Sequence, residues 1–372
     1  MENFSKLFPI ALLALSLEAL AGSDPPPQSY MTGLYWMSGS AKGLGYNEKE
    51  FTSYARRYEE ALRDNNLLSG VVIHVHWNHI EPEEGRWHFE KLDRLVELAR
   101  QYRKSYKFII VPGVATPRFV YENGAQPFDS GMNGGIRIPV PFDPVYQKCF
   151  YRLVETLASR YQSDPWFIAV ALTCANSMGG ELHLPKLPAD MKKWEQHGDF
   201  KAKIELVLQD GLDRFAAAFP RQQLCLHLSP PLGGMEEHVK RVIEHGVQKY
   251  AERFTLQSCQ LNGRTDNLEH GPWSYKVIME YKDKLHNGFQ NVSGWKEDPE
   301  RQGSMEMTTY NLVRTDTEYW ELWQGDGRSI KTCTDLLRIW DEAKRLGSDR
   351  YREKLIRENN FSFTKEGKAS KT

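Results

Sequence analysis

The chain has 372 residues, 40% of them apolar and 26% charged, with a formal net charge of −1. That balance describes a globular domain and leaves no electrostatic footprint for nucleic acid or an anionic membrane surface. The five cysteines, Cys149, Cys174, Cys225, Cys259 and Cys333, are odd in number and widely spaced, with no C-x-x-C pair, which argues against a zinc site or a disulfide framework.

At the N-terminus the apolar run over 8–20 (FPIALLALSLEAL) is too short to span a membrane, and Ala19-Leu20-Ala21 before Gly22 is a small-residue cleavage pattern. Residues 1–22 therefore read as a signal peptide, implying a secreted or periplasmic protein; Glu2 and Glu18 keep a disordered or amphipathic N-terminus as the alternative. Residues 23–29 (SDPPPQS) form a Pro-rich linker. Strand one is expected over 33–37 and a helix over 48–65. Strand two is the β-branched run 71–75, closed by Trp77 and by the punctuation of Pro82 and Gly85. Phe89, Leu92, Leu95, Val96 and Ala99 then recur at helical spacing.

Strand three is expected over 108–114, followed by a long loop through Thr116-Pro117 to Asp143-Pro144 of the kind that serves as a lid or functional loop. A helix over 146–161 leads to strand four over 167–173. The remaining strands fall at 224–228, 254–261, 285–292 and 319–323. Eight strand–helix alternations predict an α/β (β/α)8 TIM barrel over 30–346, with 347–372 as a charged C-terminal extension that adds little core.

The loop after strand two carries Trp77, Ile80, Glu81, Pro82, Gly85, Trp87, Phe89, Leu92 and Asp93. This series resembles the W-x-x-I-E-P-x-x-G-x-(W/Y)-x-F-x-x-L-D signature of β/α-barrel glycoside hydrolases of clan A and β-galactosidase-like families. Thr116-Pro117, Tyr146, Arg160-Tyr161 and Asp164-Pro165 extend the resemblance, which covers 70–181 well and the C-terminal half only by its pattern. It implies hydrolysis of an oligo- or polysaccharide by two carboxyl groups at the barrel mouth, with no cofactor.

In those relatives an Asn followed at once by the acid Glu ends strand four, whereas here Asn176 is followed by Ser177. Glu181, beyond the flexible Gly179-Gly180 pair, is the expected acid. Strand seven, where the relatives place a nucleophile, offers Gln290 and Asn291. Glu321, an acid inside the aromatic strand eight, is the expected second carboxylate, with Glu297, Asp266 and Asp326 in reserve; its alternative role is a structural ion pair.

The aromatic content of 12%, with ten Trp, suits a sugar-binding cleft. Trp36, Trp77, Trp295 and Trp323, with His76, Asn176 and Gln290, are the expected substrate contacts, and core packing is the plainer reading of Trp320. His74 and His76 share one face of a strand, and with His227 they define a rival, a metal-dependent barrel hydrolase. A barrel that binds carbohydrate without cleaving it is the other alternative.

Overall fold

The computed structural model describes residues 30–39, 43–229, 231–359, 361–363 and 369–371; the expected leader and Pro-rich linker lie outside them. Eight parallel strands close into a barrel: β1 Gly33–Met37, β2 Leu68–His76, β3 Ser105–Val111, β4 Phe167–Ala171, β5 Gln223–His227, β6 Phe254–Leu261, β7 His286–Asn291 and β8 Tyr319–Leu322. Each strand pairs with its sequence neighbours, and β8 pairs with β1 to complete the ring.

Alternation along each strand sorts the side chains into two environments. Leu34 and Trp36 of β1, Val71, Ile73 and Val75 of β2, Tyr106, Phe108 and Ile110 of β3, and Trp320 and Leu322 of β8 join the core between barrel and helices. The intervening Tyr35, Val72, Ile109, Val111 and Tyr319, with Cys225 of β5, form a separate cluster that fills the barrel.

Around the barrel run α1 Glu48–Asp64, α2 Glu90–Gln101, α3 Pro144–Tyr161, α4 Phe200–Ala218, α5 Glu236–Tyr250, α6 Trp273–Tyr281, α7 Met305–Arg314 and α8 Ile330–Leu346. In α1, Phe51, Tyr54, Ala55, Tyr58, Ala61 and Leu62 make one buried stripe, and Asn47 with Glu50 forms a reciprocal capping box. Burying such large apolar side chains stabilises by roughly 1.5–3 kcal/mol each. Asp143 caps α3, with Pro144 in the first turn where no amide donor is needed. No described helix is long and apolar enough to cross a membrane.

The residues that carry the sequence signature hold elements together. Glu81 is fully buried, accepting from Trp77 Nε1 at 3.0 Å, from the Gly85 amide at 2.8 Å and from Arg152 of α3 at 2.5 Å. Asp93 of α2 receives Arg160 Nε at 2.9 Å and the Tyr161 hydroxyl at 2.7 Å, so two ties join α3 to the β2 loop and α2. Asp164 takes Arg100 Nε at 2.7 Å and caps the Trp166 amide ahead of β4.

Three local expectations are revised. β3 ends at Val111, before Pro112, and a 3₁₀ turn, Gly113–Ala115, follows, with Gly113 at φ +44° against the Asn176 and Ser177 carbonyls. The long loop after it is ordered, with a short helix Arg118–Glu122 and a hairpin of Pro127–Ser130 with Ile136–Pro139. Finally, the stretch read as a surface extension contains a helix, α9 Ser348–Asn359, whose Tyr351 and Leu355 pack with Met307, Tyr310, Ile339 and Ala343. Those two apolar residues sit one turn apart on a face that the surrounding charges obscure in the sequence.

Candidate active site

Beneath the C-terminal mouth the barrel interior holds a charged network built from inward-facing positions of four strands. Lys107 of β3 and Glu321 of β8 are both without exposed surface and pair at 2.9 Å. The ammonium also reaches Gln257 Oε1 at 2.5 Å and His227 Nε2 at 2.7 Å, so its three protons have three acceptors. Gln257 returns its amide to Glu321 Oε2 at 2.8 Å and takes the Tyr319 hydroxyl at 2.7 Å. Because Lys107 donates to Nε2, His227 is the neutral tautomer with its proton on Nδ1, which faces Cys259 Sγ at 3.7 Å. Burial and the Lys107 charge hold the His227 pKa well below its usual range, and burial raises that of the Cys259 thiol.

Above this floor opens a pocket of about 520 Å³ lined by Glu181, His183, Cys259, Gln260, Asn262, Pro272, Gln290, Val292, Arg301 and Trp323. All of these come from strand C-terminal ends or the loops that follow them, where barrel chemistry resides. Glu181 is its one carboxylate, 28% exposed at the side chain, with His183 Nε2 3.4 Å away. Its backbone is firmly held. Asn176 Nδ2 donates to the carbonyls of Gly180 and Glu181 at 2.8 and 2.7 Å, and Glu181 forms a β-bridge with His227. Gly180 lies flat on the His227 ring: a Cβ there would fall 2.3 Å from Nδ1. Other hollows lie elsewhere, among them one of about 850 Å³ around Tyr30, Gly33 and Lys344 at the opposite barrel end and one of about 460 Å³ beside His79 and Lys91.

Of the residues expected from sequence, Glu181, Gln290 and Trp323 meet in this pocket. Trp323 donates its indole N–H to the Asn291 carbonyl at 2.8 Å and so offers a ring face, not a donor, to a ligand. Asn176 contributes through the Glu181 loop. The sugar-stacking expectation for Trp36 and Trp77 is corrected: Trp36 is 3% exposed, packed near Tyr58 and bonded to the Gln324 carbonyl, and Trp77 is 0% exposed. Both belong to the outer core. Trp295 donates to the Gly303 carbonyl at 2.7 Å and braces a loop.

His76 stacks on His79 at 5.3 Å, away from the pocket wall. Glu321 lies below the wall with both oxygens engaged, the structural ion pair that the sequence left as its second role. Asp266 pairs with Arg314 at 2.6 Å, Asp326 accepts the Trp295 amide and Glu297 the Gly325 amide, so none of the reserve carboxylates lines the pocket. Sequence reasoning missed Lys107, His183 and Arg301. Lys107 had a signal: it is the one charge in the otherwise buried apolar run YKFIIV.

Among the described residues no three His, Cys, Asp or Glu side chains are grouped to hold a metal ion, and the Nε2 lone pair of His227 is taken by Lys107. The histidines instead shape acid stability. Burial first, then nearby charge, lowers the pKa of both His74 and His76 from 6.5 to about 4. Between those values the unfolded chain binds protons at these two histidines that the folded chain refuses, so their contribution to stability is constant above about pH 6.5 and falls as pH drops toward about 4. Thermal melts across this window should show a smaller acid loss for His76→Gln than for the wild type. Equal losses in the two proteins would show that His76 has no part in it.

Residues 55–197 match the glycoside hydrolase family model described as Beta-galactosidase (Glyco_hydro_42). The β-galactosidase from Rahnella sp. R3 is similar in structure at 12% identity and a TM-score of 0.56, over 87% of this chain and 58% of that one. A β-galactosidase from the Antarctic haloarchaeon Halorubrum lacusprofundi is similar at 12% identity and a TM-score of 0.52, over 84% and 58% of the two chains. The chain thus spans under two thirds of the length of these enzymes, and at this identity the likeness establishes the barrel fold. No curated protein matches the chain in sequence.

Proposed function

We propose that the protein is a glycoside hydrolase that takes an oligo- or polysaccharide into the mouth pocket and protonates the departing glycosidic oxygen with Glu181. The observation that carries this reading is the placement of Glu181, the pocket's one carboxylate, opposite the Gln290 amide and the Trp323 ring. A carboxyl group at that position can serve as general acid, the ring can stack on an apolar sugar face, and the amide can bind hydroxyls. The match over 55–197 to a glycosidase family supports the same class. Glu321 we assign to the floor, where it is the charge partner of Lys107, whose ammonium keeps His227 neutral beneath the Gly180-Glu181 turn.

A second reading, carbohydrate binding without cleavage, is favoured by one observation: Ser177, in the loop after β4, and Gln290, near the end of β7, stand where the sequence resemblance implies glutamates. A panel of aryl glycosides and oligosaccharides, scored for aglycone release and for tryptophan fluorescence, separates the two. Turnover of at least one glycoside is expected. Saturable binding with no release by any of them would favour the second reading, and no binding at all would remove both.

We further propose that the apolar run at 8–20 directs export. The protein recovered from its native host should then begin near Gly22, and a mass spectrum retaining residues 1–21 would refute export by cleavage.

A further inference from the structure

One wall of the pocket carries a cation that the proposed hydrolysis does not use. Arg301 sits in the loop after β7, on the short helix Pro299–Gln302, and lines the pocket with Gln260, Asn262 and Gln290. Its guanidinium makes no hydrogen bond or ion pair among the described residues, although Glu297, Asp298 and Glu300 all lie close to it in sequence. Two of these carboxylates are committed elsewhere: Asp298 accepts the backbone amide of Arg301 itself at 3.0 Å, and Glu297 accepts the Gly325 amide at 2.8 Å.

The backbone beneath Arg301 is fixed on both sides. Gln302, fully buried, accepts the Ser293 amide on its side chain at 3.2 Å and the Gly263 amide on its carbonyl at 2.7 Å. Trp295 adds a bond to the Gly303 carbonyl at 2.7 Å. A long cationic side chain is therefore presented from a braced turn, and the side chains of Gln260 and Gln290 beside it also lack internal hydrogen bonds among the described residues. Glu181 stands on the β4 side of the pocket, with β5 and β6 between its strand and β7. The pocket is consequently polarised, with the acid on one wall and, on another, a solvent-exposed guanidinium that has no protein partner among the described residues. A neutral sugar would leave that guanidinium without a charged partner. A carboxylate or sulfate would give it the fork-shaped, charge-assisted contact to which it is suited, while the amides take neighbouring hydroxyls.

We propose that the sugar bound in this pocket carries an anionic group, a uronate carboxylate or a sulfate ester, that docks on Arg301 with its negative charge directed away from Glu181. This rests on the carbohydrate reading above and narrows it to acidic glycans.

The test is calorimetric binding of methyl β-galactoside, methyl β-galacturonide and methyl β-galactoside 6-sulfate, with the matching gluco-configured set, to the wild type, Arg301→Gln and Arg301→Lys. One charged probe should bind about 10–100-fold tighter than its neutral counterpart, and Arg301→Gln should abolish that preference without weakening the neutral sugar. Whichever charged probe is preferred identifies the group. Arg301→Lys should retain part of the preference, since charge survives while the fork is lost. Neutral probes that bind as tightly as charged ones, or a preference that persists in Arg301→Gln, would overturn the proposal while leaving the carbohydrate reading intact. If none of the probes binds, both fall.

Discussion

Replacing Glu181 by Gln is expected to lower turnover about 10²–10⁴-fold, the contribution typical of a positioned general acid, while sugar binding and the melting temperature stay close to wild type. The side chain is partly exposed and its one ion-pair partner among the described residues is His183, so losing its charge removes little internal support. The loop geometry depends on the backbone instead: Asn176 grips the Gly180 and Glu181 carbonyls, and the bridge to His227 is a main-chain contact. Glutamine preserves all of these. Rates and melting curves of the purified variant decide the matter. Unchanged turnover would end the assignment of Glu181 as acid, and a large drop in melting temperature would show that its carboxylate is structural.

Lys107→Met should be the most destabilising of the substitutions considered, by about 3–5 kcal/mol, because it strands the Glu321 carboxylate in a site with no access to water. In a domain of this size that corresponds to a fall in melting temperature on the order of 10 °C. Glu321 would keep only the Gln257 amide, and His227 Nε2 would lose its donor. Combining Lys107→Met with Glu321→Leu removes both charges together and should recover a substantial part of the loss, since an apolar replacement of a buried pair is often close to neutral. The double variant also separates structure from chemistry. If it folds and still turns over substrate, Glu321 belongs to the floor; if it folds and is inactive while binding sugar normally, Glu321 takes part in the reaction. Wild-type stability in the single Lys107→Met variant would contradict the buried pair itself.

The sequence alone determined the barrel, because period-2 strands alternating with period-3.6 helices leave few other ways to bury both patterns. It also located the mouth: Glu181, Gln290 and Trp323 were legible as residues at or beyond strand ends, and they do meet in one pocket. Strand alternation further implied that Trp320 and Glu321 face opposite ways, and Trp320 indeed lies in the outer core. The same logic applied to Leu34 and Trp36, or to Trp77 with Glu81 one helical turn later, would have placed those indoles inside; nearness to a strand end was the weaker guide.

What only the tertiary structure decided is which faces meet. Lys107 and Glu321 are 214 positions apart, on strands whose inward faces are opposed only once β8 pairs with β1. Glu181 owes its position to His227 of a different strand, and beside Arg301 the Glu297 carboxylate is drawn to the Gly325 amide and Asp298 to the backbone amide of Arg301. A local pattern fixes the side of the chain on which a residue stands. Its partner is set by ring closure, a long-range event whose outcome depends on how all eight strands register at once.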